Sequence, residues 1–435
     1  MKAIIYPTNF LKGKIKAQPS KNYTNRFLYI AGLTEGTTIL KNVAYSDDAK
    51  SLMRCIQKLG AKIEFLEENT LKITGFGDKP NSINELDVGN AGTVLRFLIG
   101  CAIFTKETYF INSYPESLGK RPNEDLLKAL QSLGVKYEAK DKGKLPIRIK
   151  GINKNDLPEP VKIKVSGKIS SQYLSSLLLI SPLLDRNVEI TVIDELKSKP
   201  LIKQTLEVMG KTGIKISHSN NLTKFFIKKG QRYKPGTYTI GGDHPGSAAI
   251  LSAAAVVNSD IEIEGLFDDE QGEKRIIYAL KEMGANIKWE NNTVKLKSNG
   301  KLSSIIFDGD KATDGVLALS AASTLAKGKS KFFNVENLRY KECDRISDWG
   351  AELKKIGVKF SETQDSFEII GNTEGYKGGV ILDSHNDHRV IMGLTIIGLR
   401  CQKPITIENA HHIDKSYPDF FKHIQSLGGK VEIIE

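Results

Sequence analysis

The chain is poor in cysteine, with only Cys55, Cys101, Cys343 and Cys401 among 435 residues. None of them stands at a paired metal-ligand spacing, which excludes a zinc module or a disulfide scaffold and fits reduced thiols in a cytoplasmic protein. The sequence also lacks any apolar run near the roughly 18–20 residues that a membrane helix needs. Its longest apolar stretches, 248–257 and 390–399, suit buried helices instead. The opening Met1-Lys2-Ala3-Ile4-Ile5-Tyr6-Pro7 breaks too early for a secretory signal. Nor is there compositional bias, since 40% hydrophobic and 26% charged residues exclude collagen-like and disordered classes. A surplus of twelve positive charges points to an anionic partner without naming it. A nucleic acid is not expected, because lysines are scattered along the chain and the aromatics form no stacking pattern.

What the chain has is repetition. An apolar residue or Thr, then Gly, a variable residue, Lys or Asn, and an apolar residue (Tyr once) recurs six times. The copies begin at Leu59-Gly60, Leu133-Gly134, Thr212-Gly213, Met283-Gly284, Ile356-Gly357 and Leu427-Gly428, with glycine spacings of 74, 79, 71, 73 and 71 residues. Each follows an amphipathic stretch such as 51–59 or 275–283, and the glycine suits a helix C-terminus that requires positive φ. Two alternating segments around a polar turn come next and predict a hairpin, except in the last copy, where a single strand is expected.

Upstream of each glycine a strand-like segment enters a small polar loop followed by a long apolar helix. These loops are Ser20-Lys21-Asn22, Gly89-Asn90-Ala91-Gly92-Thr93, Ser170-Ser171-Gln172, Gly242-Asp243-His244-Pro245-Gly246, Asp314-Gly315 and Asn386-Asp387-His388-Arg389. The unit is therefore strand–helix–strand–helix–strand–strand. Six such units in a chain of this length predict two domains of three, 21–234 and 1–20 plus 235–435, joined near Lys234-Pro235-Gly236. Solenoid repeats usually run only ~20–50 residues, which disfavours stacking.

Helix N-termini bind anions through unpaired N–H groups. The first three loops carry no acid, whereas the last three carry Asp243, Asp314 and Asp387. Simple N-capping explains an aspartate at such a position. The sharper expectation is an anion-binding half opposed to a half that supplies a carboxylate base. Lys341-Glu342-Cys343-Asp344-Arg345 is a dense charged group before a helix, which a solvated helix start also explains. Arg389 in a first helical turn opposes the helix dipole, a position that serves a ligand better than it serves stability. His388 reads as a structural hydrogen-bonding residue, not a metal ligand.

Taken together, Ser20-Lys21 with Asn25-Arg26, Gly89 to Thr93, Arg121-Pro122, Ser170-Ser171-Gln172, Ser198-Lys199-Pro200, Lys341-Glu342 with Asp344-Arg345, and Asn386 to Arg389 resemble the enolpyruvyl transferases across the whole chain. Among these the resemblance is to the EPSP synthase (3-phosphoshikimate 1-carboxyvinyltransferase) family of the shikimate pathway. It implies an α/β fold of two similar domains, each of three βαβαββ units in an inside-out barrel, with a ligand cleft between them. It implies transfer of the enolpyruvyl group of phosphoenolpyruvate to the 5-hydroxyl of shikimate 3-phosphate, with no cofactor or metal and in a monomer. Lys21, Asn22, Arg26, Ser170, Ser171, Gln172, Ser198, Asp314, Asn337 and Lys341 would hold shikimate 3-phosphate. Lys21, Asn90, Gly92, Arg121, Gln172, Arg345, Arg389 and Lys415 would hold phosphoenolpyruvate. Asp314 would be the base, and Glu342 with Lys21 the proton donors.

Four positions depart from the family pattern. Pro19 replaces a Gly, Asn22 a Ser, Phe97 a Pro and Leu201 a Tyr. The family is inhibited by glyphosate at the phosphoenolpyruvate site. Gly92 predicts sensitivity, and the larger ring of Phe97 is expected to tilt the first helical turn and weaken inhibition. The nearest alternative, UDP-N-acetylglucosamine 1-carboxyvinyltransferase, usually carries a Cys five residues before the Arg-Pro, where this chain has Glu116.

Overall fold

The structure is a computed structural model that describes residues 1–435, apart from the side chain of Asn84. It divides into two compact units, Pro19–Ile240, and Met1–Gln18 together with Gly241–Glu435. Twelve α-helices alternate in character along the chain. They are α1 (Lys21–Gly32), α2 (Asp47–Lys58), α3 (Gly92–Cys101), α4 (Glu124–Gln131), α5 (Ser171–Ile180), α6 (Lys199–Lys211), α7 (His244–Ala255), α8 (Arg275–Glu282), α9 (Val316–Ser323), α10 (Ser347–Ile356), α11 (His388–Gly398) and α12 (Phe420–Ser426). The odd-numbered helices bury essentially their whole circumference; most are apolar or small-residue on every side, whereas α1 also buries Lys21, Asn22, Asn25 and Arg26. In one unit α3 packs on both α1 and α5, and in the other α7, α9 and α11 pack pairwise. The even-numbered helices bury one face only, as their amphipathic sequences require.

Six four-stranded sheets surround these cores, all with one strand order. A leading strand runs parallel to a second, which pairs with the antiparallel hairpin after the even helix. In the second repeat, for example, Ile83–Leu86 lies parallel to Glu107–Phe110, followed by Lys144–Lys150 and Lys136–Lys140.

Two expectations are corrected here. The last repeat does not stop at one strand: Lys2–Ile5 inserts between Ile405–Glu408 and Val431–Ile434, antiparallel to both, and completes its sheet. The strand before α1, Phe10–Lys16, does not lead the first repeat either. It pairs parallel with Asn258–Glu264 of the fourth, while the first repeat is led by Thr237–Thr239, parallel to Thr37–Lys41. That strand follows the turn at residues 234–236, so the compact unit runs on to Ile240. The local period predicts strands but not which distant edge each will join.

All six repeat glycines have φ between +92° and +115°. Each closes its helix identically. In the first repeat Gly60 N–H donates to Gln57 at 3.0 Å and Ala61 N–H to Ile56 at 2.9 Å, and in the fifth Gly357 and Val358 donate to Lys354 and Leu353 at 3.0 Å. This Schellman arrangement satisfies carbonyls that the helix leaves over and turns the chain into the hairpin. No atom lies within 4 Å of where a Cβ on Gly357 would sit, so only backbone strain opposes a side chain there. Gly357→Ala is therefore expected to lower unfolding stability by about 1 kcal/mol, and Gly357→Asn by less, in urea titrations followed by circular dichroism.

Candidate active site

The charged residues expected at the starts of α9 and α11 and before α10 converge in one buried cluster. Its centre is Arg345, 1% exposed. The guanidinium meets Asp387 bidentately, Nε to Oδ2 at 2.7 Å and Nη2 to Oδ1 at 3.1 Å. Nη2 also donates to Glu342 Oε2 at 2.8 Å, and Nη1 to Asp314 Oδ1 at 3.2 Å. Burial alone would lower the Arg345 pKa, but Asp387, Glu342 and Asp314 outweigh it and hold the pKa well above the ordinary value. Two further cations close the cluster: Lys415 Nζ lies 3.4 Å from Glu342 Oε1, and Arg389 Nη2 lies 3.9 Å from Asp314 Oδ2. The loop bearing Asn337 and Lys341 folds back on it, since Arg345 N–H donates to the Leu338 carbonyl at 3.2 Å. Burial, then Asp387, pushes the Cys343 thiol well up, so it stays protonated.

The three aspartates at helix starts differ. Asp243 and Asp387 are caps: Asp243 Oδ2 accepts from Gly246 N–H at 2.7 Å and Asp387 Oδ1 from Arg389 N–H at 2.8 Å. Asp314 is not, because α9 begins after Gly315 with no side-chain cap. Its own N–H donates to Glu273 Oε1 at 3.1 Å. Glu273 is a residue that sequence reasoning missed. It sits in Gln271-Gly272-Glu273-Lys274-Arg275, which reads as an ordinary charged helix start, and nothing local says that it is buried. Arg96 was missed too, although an Arg in the apolar run of α3 was a usable signal.

In the unit Pro19–Ile240, Ser170 caps α5, accepting from Gln172 N–H at 3.3 Å, and Ser171 is buried beside it. The Gln172 amide bridges back to α3, Nε2 donating to Thr93 Oγ1 at 2.8 Å and Oε1 accepting from Arg96 Nη1 at 2.7 Å. Arg96 also donates to Asn123 Oδ1 at 3.2 Å and stacks over Tyr173. Arg121 closes this group: a Cβ on Gly92 would fall 2.7 Å from its Nη1 and 3.0 Å from Arg96 Nη1. Asn90 ends the preceding strand-to-helix turn, in which Gly89 N–H donates to Asp87 Oδ1 at 2.8 Å.

A second group lies along α1 and the start of α6. Lys21 is buried, with Nζ 3.4 Å from Asp48 Oδ2. Arg26 donates to Thr205 Oγ1 at 2.9 Å, to the Asn22 carbonyl at 3.0 Å and to the Leu201 carbonyl at 2.9 Å, tying α1 to the first turn of α6 that Ser198 precedes. Burial lowers the Arg26 pKa to about 10. Asn22 Nδ2 is buried with no hydrogen-bond partner. Phe97 leaves α3 unbroken from Gly92 to Cys101 and packs against Tyr29. Among the described residues, no helix is long and apolar enough to cross a membrane, and no group of three His, Cys, Asp or Glu is arranged to hold a metal ion.

The architecture is that of the enolpyruvyl transferases. The fold matches an EPSP synthase of Acinetobacter baumannii over the whole of both chains with a TM-score of 0.81 at 24% identity. It also matches the enolpyruvyl transferase NikO of Streptomyces tendae over 99% and 98% of the two chains, with a TM-score of 0.75 at 16% identity. Sequence narrows the class. The family model for EPSP synthase (3-phosphoshikimate 1-carboxyvinyltransferase) matches residues 5–424. The 3-phosphoshikimate 1-carboxyvinyltransferase of Deinococcus radiodurans is 43% identical over 99% of this chain and 97% of its own length, and that of Methanocaldococcus jannaschii 35% identical over 99% of both. The chain belongs to the EPSP synthase family.

Asp387→Asn separates the two roles of that residue, since the amide still caps α11 but no longer balances Arg345. A loss of about 3 kcal/mol is expected in equilibrium unfolding, toward the lower end for breaking a buried ion pair, because Glu342 and Asp314 stay with the guanidinium.

Proposed function

We infer that this chain transfers the enolpyruvyl group of phosphoenolpyruvate to the 5-hydroxyl of shikimate 3-phosphate, releasing phosphate, in the shikimate pathway to chorismate and the aromatic amino acids. The observation that carries the mechanism is Asp314, a carboxylate excused from capping, oriented by two arginines and fixed through its own N–H. It accepts the 5-hydroxyl proton as that oxygen bonds to C2 of phosphoenolpyruvate, while Lys21 and Glu342, the latter in its protonated form, supply the proton that C3 takes up. The tetrahedral intermediate then loses the C3 proton, and the C2–O bond to phosphate breaks, leaving the enol ether. General acid–base catalysis of this kind contributes ~10²–10⁴-fold, and orientation by the cationic residues supplies much of the remainder.

Shikimate 3-phosphate is assigned to Lys21, Asn22, Arg26, Ser170, Ser171, Gln172, Ser198, Asp314, Asn337 and Lys341. The unpartnered Asn22 amide supports its place there. Phosphoenolpyruvate is assigned to Lys21, Asn90, Gly92, Arg121, Gln172, Arg345, Arg389 and Lys415, guanidinium groups suiting bidentate contact with carboxylate and phosphate. The units 21–234 and 1–20 plus 235–435 are read as the two functional domains, in a monomeric cytoplasmic enzyme. The alternative acceptor, UDP-N-acetylglucosamine, is disfavoured by Glu116 at the position of that enzyme's Cys. Phosphate release from phosphoenolpyruvate that requires shikimate 3-phosphate and ignores UDP-N-acetylglucosamine is the deciding assay.

Asp314→Asn is expected to reduce kcat by about 10²–10⁴-fold with little change in shikimate 3-phosphate affinity by calorimetry, because the amide cannot take a proton. Gly92→Ala, whose Cβ would push the Arg121 guanidinium aside, is expected to cost on the order of ten- to a hundred-fold in kcat/KM for phosphoenolpyruvate and to weaken glyphosate inhibition in steady-state kinetics.

A further inference from the structure

We propose that Glu273 is a positioning residue for Asp314: one carboxyl oxygen fixes the Asp314 backbone, and the charge Glu273 carries when ionised strengthens Asp314 as a base. This rests on Asp314 being the base of the proposed reaction.

Glu273 is 4% exposed, with Oε1 taken by the Asp314 N–H and Oε2 buried without a hydrogen-bond partner. The turn that carries it is anchored through a nearby amide. The neighbouring Gln271 accepts from His244 N–H at 3.1 Å and donates to the Gly242 carbonyl at 2.8 Å and to Asp269 Oδ2 at 2.9 Å. On the other side Gly315 lies close to the same turn, a Cβ there falling 2.7 Å from Ile276 Cγ1 and 3.4 Å from Glu273 Cγ. The contacts from Lys415 through Glu342, Arg345, Asp387, Asp314 and Arg389 set three cations against three carboxylates, and Glu273 adds a fourth carboxyl. Arg389 acts against that added charge, but burial outweighs it.

Burial, reinforced by the Asp314 charge and opposed by Arg389, raises the Glu273 pKa to about 7. The elements packed on its turn carry few other groups that titrate in this range. The start of α7 brings Asp243, engaged as a cap, and His244, which burial lowers to about 4 and so keeps neutral. The turn before α9 brings Asp310, Asp314 and Lys311, the last paired with Asp308 at 3.2 Å. Beside Glu273 itself stand Lys274, paired with Asp268 at 2.6 Å, and Arg275. Glu273 thus passes from neutral to charged near neutrality, and a second negative charge beside Asp314 raises its affinity for the incoming proton.

The test compares the full-length wild type with Glu273→Gln, Glu273→Ala and Asp314→Asn in phosphate-release kinetics at saturating substrates across pH, alongside thermal melting. Wild-type kcat should climb through an inflection near the Glu273 pKa. Glu273→Gln keeps an acceptor for the Asp314 N–H. It should therefore hold KM for both substrates within about two-fold, lose the inflection, and fall about ten-fold in kcat at about pH 8.5. Because the folded-state pKa is raised, wild-type stability is fully present below the unfolded carboxyl value and is lost as pH rises through the folded one. The Gln variant should melt with wild type at about pH 5 and above it at about pH 8.5. Glu273→Ala, which loses the anchor as well, should fall further and raise KM.

A wild-type kcat and pH profile in Glu273→Gln would overturn the proposal while Asp314→Asn remains inactive. So would a Gln variant destabilised equally at both pH values and as impaired as Ala, since that marks a purely structural role. Turnover in Asp314→Asn would remove the base assignment, and this proposal with it.

Discussion

A guanidinium with almost no access to water has to be surrounded by charge that was itself removed from water. Arg345 meets that requirement with Asp387, Glu342 and Asp314, and each of these is set by a different part of the chain: the start of α11, the loop before α10 and the turn before α9. Removing such ions from solvent costs several kcal/mol apiece, and only good geometry offsets it. The arrangement therefore ties three chain segments to one planar group. Nothing in it favours fold stability over an apolar substitute of the same shape. What it secures is direction, since a carboxylate held by two arginines cannot rotate freely.

The helix starts divide their labour in the same spirit. Ser170, Asp243 and Asp387 give their side chains to backbone N–H groups. Gly92 and Asp314 do not, and around them the chain substitutes other restraints. Thr93, Arg96 and Gln172 lace α3 to α5 above Gly92, and Glu273 grips the Asp314 backbone. A helix end without its own cap is expensive to leave in the interior.

Much of this was legible in the sequence because it is local. The six glycines announce six helix ends, and the apolar helices announce two cores, since both follow from short-range geometry and periodicity. The residues around Asp314 were readable as a charged cluster only because their loops share one position in the repeat. The pairing of Lys2–Ile5 and Phe10–Lys16 was not readable, because strand partners are chosen by edges hundreds of residues away. Glu273 escaped for a related reason. Between Gly272 and Lys274 it has the neighbours of a surface residue, and its burial is decided by the turn that carries Asp314. Arg26 was expected as a ligand, and in the structure two of its donors serve α6 and a third the Asn22 carbonyl of its own helix.

The strand pairings also impose an order on synthesis. Residues 19–240 contain every strand and helix of their unit, so that unit is complete as soon as Thr237–Thr239 has emerged to lie beside Thr37–Lys41. The other unit holds strands from both sides of it in the sequence. Phe10–Lys16 waits for Asn258–Glu264, and Lys2–Ile5 waits for Val431–Ile434 much further along the chain. These early strands must thus stay unpaired while most of the chain is made. The alternation of lysine with Leu11, Gly13 and Ile15 along Phe10–Lys16 keeps that waiting strand charged on one face, which guards it against pairing with the wrong neighbour.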